Sequence, residues 1–358
     1  MNRRQLVGTL AAAPLLGLAA TPAAAATYPG AAWQKATPGS VGMDGTKLKG
    51  AIAWAQNEGA GSVLVVRSGL SVGTAGDQAV RRELKSATKS VGSILLGLAL
   101  TDRRVSLPGK AAAHMPGFGT PPSGNAARAG SVTLQHLATH TAGFEADAGF
   151  GRIVHAPGSS WSYSNGGANW LADVLTTVYR KDMAALLRER VSSKIGITSA
   201  DLTWRSNAYR PTTLPGTTIP RREFGSGVSA NVDAMARLGY LMLRRGSWNG
   251  TQILSTSYVD AARRTPSFLP GTDLVDPVEF PNADKHYGLL WWNNGDGSMA
   301  GVPRDAYWAW GKGESLILVV PSLDLVAART GAAWQGSNWM ARYGTVAPFF
   351  QKLAASFD

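Results

Sequence analysis

Residues 83–100, ELKSATKSVGSILLGLAL, hold a single charged side chain beyond Lys85, and that is Lys89. Val91, Ile94, Leu95 and Leu98 recur at helical spacing, and Gly92, Ser93 and Gly97 leave room for close packing, which predicts a buried helix. A helix with so little polar surface has to lie inside the fold, so the rest of the chain must be arranged around it. Ser86 and Lys89 stand three residues apart and share one helix face, where a hydroxyl and an amine can touch without help from tertiary structure. Desolvation lowers an amine's pKa, so a buried Lys89 can spend time neutral and take a proton from a serine. The same pair also fits a serine near a helix N-terminus and a lysine that reaches out to water. The remainder of the chain has to decide between these.

The chain has 358 residues, 44% hydrophobic and 16% charged, which suffices for a large core in one or two domains. Its 35 basic and 23 acidic residues give a net charge of +12. The basic residues are scattered, with no long run and no recognition motif, so nucleic acid is not the expected partner. Met1 to Ala26 has a positive start at Arg3 and Arg4, an Ala/Leu-rich middle and a small-residue end at Ala23–Ala26. That is the pattern of an export signal, and the paired arginines followed by Leu6 are similar to a twin-arginine signal; a plain secretory signal fits equally. Either one predicts a protein outside the cytoplasm, secreted or in the periplasm or cell envelope. No later stretch reaches the ~18 consecutive apolar residues of a membrane span. With no cysteine in the chain, disulfides, thiol nucleophiles and cysteine-bound metals are excluded.

Along the chain, a helix is expected from Asp44 to Asn57. A β-hairpin follows, Ser62–Val66 turning at Ser68-Gly69 into Leu70–Gly76. Gly69-Leu70-Ser71-Val72-Gly73 matches the nucleophile elbow of α/β-hydrolases, but no helical pattern follows it, so its glycines are read as turn residues. Arg103–Gly130 reads as loop. Thr133 is a helix N-cap, with Gly143 as the stop. His136 and His140 lie four apart within that segment but lack a third ligand, and are read as ordinary hydrogen-bonded histidines, with no metal or other cofactor implied. The run from Pro157 to Gly166 is a loop opening onto helices at Ala168–Tyr179 and Met183–Ile195, which sets Tyr163 and Asn165 at a cleft. Val232–Arg244 is a helix. Tyr287–Trp292, Tyr307–Gly311, Ser315–Val320 and Leu325–Arg329 read as strands, and Trp339–Phe357 as a closing helix. Strand-rich ends around a helical middle give an α+β expectation: residues 27–104 with 226–358 forming an antiparallel sheet flanked by helices, and 105–225 an inserted, mainly helical lobe.

Four pieces in order, Ser86-Ala87-Thr88-Lys89, Thr139 to Phe144, Tyr163-Ser164-Asn165 after Pro157-Gly158, and the strand pair from Tyr307 to Arg329, resemble the serine β-lactamase and penicillin-binding superfamily in its class C-like branch. The stretch Gly301–Gly311, with Val319–Leu325, looks most like esterase and 6-aminohexanoate-dimer (nylon oligomer) hydrolase members. The resemblance implies a β-lactamase/transpeptidase-like fold and a serine hydrolase. It makes Ser86 the acylated nucleophile, Lys89 the group that holds or accepts its proton, and Tyr163 the proton carrier to leaving group and water. Asn165 would fix Lys89 and the substrate, and the backbone N–H groups of Ser86 and Lys312 would form an oxyanion hole. Two Ser-x-Asn triplets, Ser123-Gly124-Asn125 and Ser229-Ala230-Asn231, are better explained by a loop and a helix cap.

One departure bears on substrate. Where β-lactamases and penicillin-binding proteins usually carry a basic triplet such as Lys-Thr-Gly, this chain has Ala309-Trp310-Gly311, so Trp310 offers a flat apolar wall in place of a carboxylate anchor. Lys312 lies one strand position away and is expected to face the other side of the sheet. The expected activity is therefore cleavage of a small or oligomeric ester or amide. D-amino peptidase or weak β-lactamase action, and a non-catalytic protein that binds cell-wall peptides, are the alternatives.

Overall fold

The computed structural model describes residues 26–56, 61–119, 126–145, 149–208, 213–334 and 343–357. The export pattern at Met1–Ala26 (but for Ala26) and the triplet Ser123-Gly124-Asn125 lie outside them, as do Asn57 and the first residues of the expected closing helix. The principal helices are α1 (Gly45–Gln56), α2 (Thr88–Thr101), α3 (Leu134–Ala138), α4 (Asn165–Tyr179), α5 (Met183–Arg190), α6 (Val232–Leu243), α7 (Thr256–Ala262) and α8 (Tyr343–Ala354). Among the described residues no helix is long and apolar enough to cross a membrane.

The alternating and β-branched runs at the two ends of the chain build one antiparallel sheet of six strands: β1 (Gly61–Arg67), β2 (Leu70–Ala75), β3 (Trp292–Asn293), β4 (Tyr307–Gly311), β5 (Ser315–Val320) and β6 (Leu325–Gly331). Their order is β3-β4-β5-β6-β1-β2, so the last strand of the chain pairs with the first, from Gly61↔Gly331 to Arg67↔Leu325. Both faces are covered. Gly239 on α6 packs against Ile317 and Val326, while Gly73 on β2 packs against Ile52 of α1. The pairings Val66↔Val326 and Val65↔Gly73 put those contacts on opposite faces, because successive side chains in a strand alternate. This is the expected α+β arrangement, with the Gly-Leu-Ser-Val-Gly stretch forming a strand after a left-handed turn at Ser68 and Gly69.

Helix α2 is buried from Thr88 to Ala99, as its composition requires. Its small residues have distinct uses. Ser90 and Ser93 donate to the carbonyls of Leu290 and Leu289 at 2.7 and 2.6 Å. Those bonds satisfy a turn that the sequence reading took as strand Tyr287–Trp292. Leu290 is left-handed, at φ +61°, so only Trp292–Asn293 joins the sheet. A β-carbon at Gly92 would lie 2.4 Å from the ring of Phe224, and one at Gly97 2.2 Å from that of Tyr258.

Other boundaries also moved for identifiable reasons. Helix α3 ends at Ala138, short of Gly143, because His140 turns left-handed at φ +60°. Thr133 caps it as expected, accepting from the backbone N–H of His136 at 3.1 Å. Helix α4 starts at Asn165, three residues early, because Ser164 caps it and accepts from Gly167 N–H at 3.1 Å. Met183–Ile195 divides into α5 and a 3-10 turn at Ser192–Ile195, and the closing helix passes into a 3-10 turn at Ala355–Phe357. Ser229 lies in a strand, and Asn231 caps α6.

Substituting alanine for glycine in an exposed helix gains up to about 1 kcal/mol from propensity. Gly92→Ala and Gly97→Ala should do the reverse, each losing about 1–3 kcal/mol because the added methyl meets an aromatic ring in a packed core. Chemical denaturation midpoints of the two variants check this.

Candidate active site

Three separate segments converge at the N-terminal end of α2. The first is a 3-10 turn, Lys85–Ala87, which carries Ser86. A three-stranded sheet made by Arg82–Glu83, Val228–Ala230 and Leu202–Trp204 holds the approach to it. Leu84 N–H donates to Val228 O at 2.8 Å, and Val228 N–H donates to the Thr88 hydroxyl at 3.3 Å. Lys85 is left-handed at φ +51°, a conformation that costs a non-glycine residue about 1 kcal/mol, and its side chain pairs with Glu83.

Lys89 follows one turn later, only 1% exposed. Its Nζ donates to Asn165 Oδ1 at 2.6 Å, to Ser86 Oγ at 3.2 Å and to Gly225 O at 3.4 Å. It also lies 4.5 Å from the centre of the Tyr163 ring. Burial pulls its pKa down to about 7, and the charge of Glu223 pulls weakly the other way. Glu223 is itself buried and pairs with Arg205, which lines the cleft. The amine is therefore divided between its two protonation states near neutral pH.

The second segment is the loop before α4. Tyr163 shares a side-chain hydrogen bond with Ser86, and burial pushes its phenol above the ordinary tyrosine range. The phenol is thus neutral at rest and suited to passing a proton on rather than drawing one away. Its ring stacks on Phe280 at 4.8 Å. Asn165, the first residue of α4, completes the set around Lys89.

The third segment is the end of β4. Gly311 presses on the Ser86 turn so closely that a β-carbon there would sit 1.9 Å from Leu84 O and 2.9 Å from Ala87 N. Lys312 follows at the rim. Lys312 opens the turn after Gly311 and lines the cleft with Trp310 and Gly311; two positions after Trp310, it falls on the face of that residue and not on the far side of the sheet as expected. The cleft measures about 480 Å³ and has Ser86 on its wall. Phe280, Trp292 and Trp310 give it an aromatic lining, and Glu83, Lys85, Arg205 and Lys312 line it as well.

All seven residues picked out in the sequence, Ser86, Lys89, Tyr163, Asn165, Trp310, Gly311 and Lys312, come together here. Gly225, Glu223, Arg205, Phe280 and Trp292 were missed, because their contribution depends on tertiary position and no local motif marks them. His136 and His140 have separate hydrogen bonds, His136 Nδ1 accepting from Thr133 N–H at 3.3 Å and His140 Nδ1 from Ser164 N–H at 3.2 Å.

The Beta-lactamase family model matches residues 61–331, a span that begins with β1 and ends with β6. The chain belongs to the beta-lactamase family. No curated protein matches the sequence. Among solved structures, a penicillin-binding protein homolog from Caulobacter crescentus is 17% identical, with a TM-score of 0.66 over 87% of this chain and 97% of its own. A candidate 6-aminohexanoate-dimer hydrolase from Bacillus anthracis is 19% identical, with a TM-score of 0.62 over 82% of this chain and 78% of its own. A family VIII carboxylesterase is 15% identical, with a TM-score of 0.65 over 87% of this chain and 97% of its own. At these identities the likeness is one of fold, and it agrees with the α+β architecture described above.

An amine with a lowered pKa leaves a signature in stability. Between pH 7 and the ordinary lysine range near 10.5, Lys89 binds a proton in the unfolded chain and not in the folded one. Folding stability should then rise with pH in that window by up to about 1.4 kcal/mol per unit. Urea titrations at several pH values should show this slope in the wild type relative to Lys89→Met, which lacks the titrating group. Equal slopes would mean that Lys89 stays protonated.

Proposed function

We propose that this protein is an exported serine hydrolase of the β-lactamase-related kind, cleaving ester or amide bonds through an acyl-enzyme on Ser86. The observation that carries the reading is the buried Lys89 amine, 3.2 Å from Ser86 Oγ and drawn down to a pKa of about 7. A neutral Lys89 takes the proton from Ser86 as Oγ attacks the carbonyl carbon. The negative charge that develops on the carbonyl oxygen falls to the backbone N–H groups of Ser86 and Lys312, and such donors are commonly worth about 3 kcal/mol each. Tyr163, bonded to Ser86 and beside Lys89, delivers a proton to the leaving group as the carbonyl bond to it breaks and takes the Ser86 proton from Lys89 in its place, which leaves Lys89 neutral. In the second half of the cycle neutral Lys89, through Tyr163, takes one proton from water as its oxygen attacks the acyl carbon, and that proton passes to Ser86 Oγ as the acyl bond to it breaks, which restores Ser86. Asn165 holds the amine in place throughout.

Substrate preference follows from the wall. Ala309 stands where related enzymes present a basic side chain, and Trp310 beside it, with Phe280 and Trp292, favours an apolar acyl group over a carboxylate anchored at that strand. Esters and small or oligomeric amides lead, and β-lactams come second. The proposal of export rests on the Met1–Ala26 pattern and places the mature protein in the cell envelope or beyond.

Ser86→Ala should lower p-nitrophenyl ester turnover by roughly four to six orders of magnitude. Lys89→Ala should lower it by about 10²–10⁴-fold. The wild-type kcat/KM should climb about tenfold per pH unit up to about 7 and then level, because only the unprotonated Lys89 is competent. A serine-directed phosphonate should label Ser86, seen as a mass shift on its peptide. Turnover by Ser86→Ala at the wild-type rate would sink the reading, and a label on Ser86 without any ester or amide turnover would favour a binding protein instead.

A further inference from the structure

His140 has no place in the chemistry above, yet it contacts the Tyr163 loop on both sides. Its backbone carbonyl accepts from Ser162 N–H at 2.9 Å. Its Nδ1 accepts from Ser164 N–H at 3.2 Å. The two residues that flank Tyr163 are thus fastened to one side chain and its own peptide. The imidazole also lies under the Tyr163 ring, with centroids 4.5 Å apart. Because Nδ1 accepts a backbone N–H, the neutral ring carries its proton on Nε2 and donates it to the Tyr287 hydroxyl at 3.1 Å. Burial and the nearby Lys89 both keep the ring from taking a second proton, which would abolish the acceptor.

The backbone adds a second sign. His140 is left-handed at φ +60°, a conformation that histidine adopts less readily than asparagine or glycine. A residue that only filled this buried site would need neither that turn nor an acceptor nitrogen. Ser164, the residue held by Nδ1, is also the cap of α4 and donates its hydroxyl to Glu145 O at 2.7 Å. Asn165 comes next, so the same anchor also bears on the partner of Lys89.

We infer that His140 is a positioning residue that acts through Tyr163, holding the phenol at Ser86 by a two-point tether to the peptides on either side of it. The inference rests on Tyr163 being the proton carrier proposed above. Displacing a catalytic group by about 1 Å can cost on the order of 10²-fold in rate, so loss of the Nδ1 point of the tether, the one a substitution removes, is expected to lower kcat by roughly 10–100-fold with little change in KM.

The test compares His140→Asn with His140→Gly, each in the wild type and in Tyr163→Phe. Both substitutions tolerate the left-handed backbone, but only asparagine keeps an acceptor near the Nδ1 position. Ester kinetics should show His140→Asn close to wild type and His140→Gly reduced in kcat. The glycine effect should shrink to under about threefold in Tyr163→Phe, since a residue acting through a lost group has nothing left to act on. Hydrogen exchange at the Ser164 amide, read without regard to activity, should quicken in His140→Gly and not in His140→Asn. An asparagine variant as slow or as unstable as the glycine variant overturns the inference, and so does a glycine effect of equal size in both backgrounds or unchanged Ser164 exchange. Wild-type activity in Tyr163→Phe would instead count against Tyr163 as proton carrier, and the exchange result would still decide the tether.

Discussion

Burying Lys89 strips its amine of water, and among the described residues three hydrogen-bond partners replace what is lost: Asn165 Oδ1, Ser86 Oγ and the Gly225 carbonyl. None of them is a carboxylate. A full ion pair would have stabilised the charged form and returned the pKa to the ordinary range. Glu223, the buried carboxylate whose charge acts on the amine, is engaged with Arg205, so its pull is partial. The neighbourhood therefore solvates the amine without fixing its charge. In the proposed mechanism the reactivity of Ser86 depends on that restraint, and so does the choice of Asn rather than Asp at position 165.

The rest of the structure serves to keep those contacts in register. The Ser86 turn, the Tyr163 loop and the Gly311 strand end come from distant parts of the chain, and each is fastened by a different device. A strained residue and a small sheet hold the turn. A left-handed histidine brackets the loop. The absence of a side chain lets Gly311 rest on Leu84 O. Strain at Lys85 and His140 falls beside the groups proposed to react, Ser86 and Tyr163, which is where a fold tends to concentrate unfavourable backbone that packing elsewhere compensates.

Much of this was legible in the residues, and the pattern of what was not is physical. Helix α2 could be read because its burial is written in its own composition. Tyr163 and Asn165 could be read because a turn-rich loop before a helix announces itself. The helix expected to run on to Gly143 could not be bounded, since nothing local says that His140 will turn left-handed; that conformation is imposed by partners at Ser162 and Ser164. The strand expected at Tyr287–Trp292 failed in the same way, because its residues have β propensity but Ser90 and Ser93 claim their carbonyls. Gly225, Glu223 and Phe280 carry no motif at all. Their roles exist only once distant segments meet.

The cleft narrows the substrate further than the motif does. Its apolar side is a contiguous aromatic surface: Tyr163 stacks on Phe280 at 21°, and Phe280 faces Trp292 at 16° with centroids 6.4 Å apart. Trp310 meets Trp292 edge to face at 6.0 Å, so the rings support one another and cannot easily be turned aside by a ligand. A rigid wall of this kind gains most from a flat or extended apolar group that covers several rings at once. Lys85, Arg205 and Lys312 also line the cleft, but Glu83 pairs with Lys85 and, at 3.7 Å, with Arg205. Charge at that rim is partly spent within the protein. Recognition by apolar contact thus has the stronger physical basis here, and under the proposed function Ser86 would meet an uncharged acyl chain.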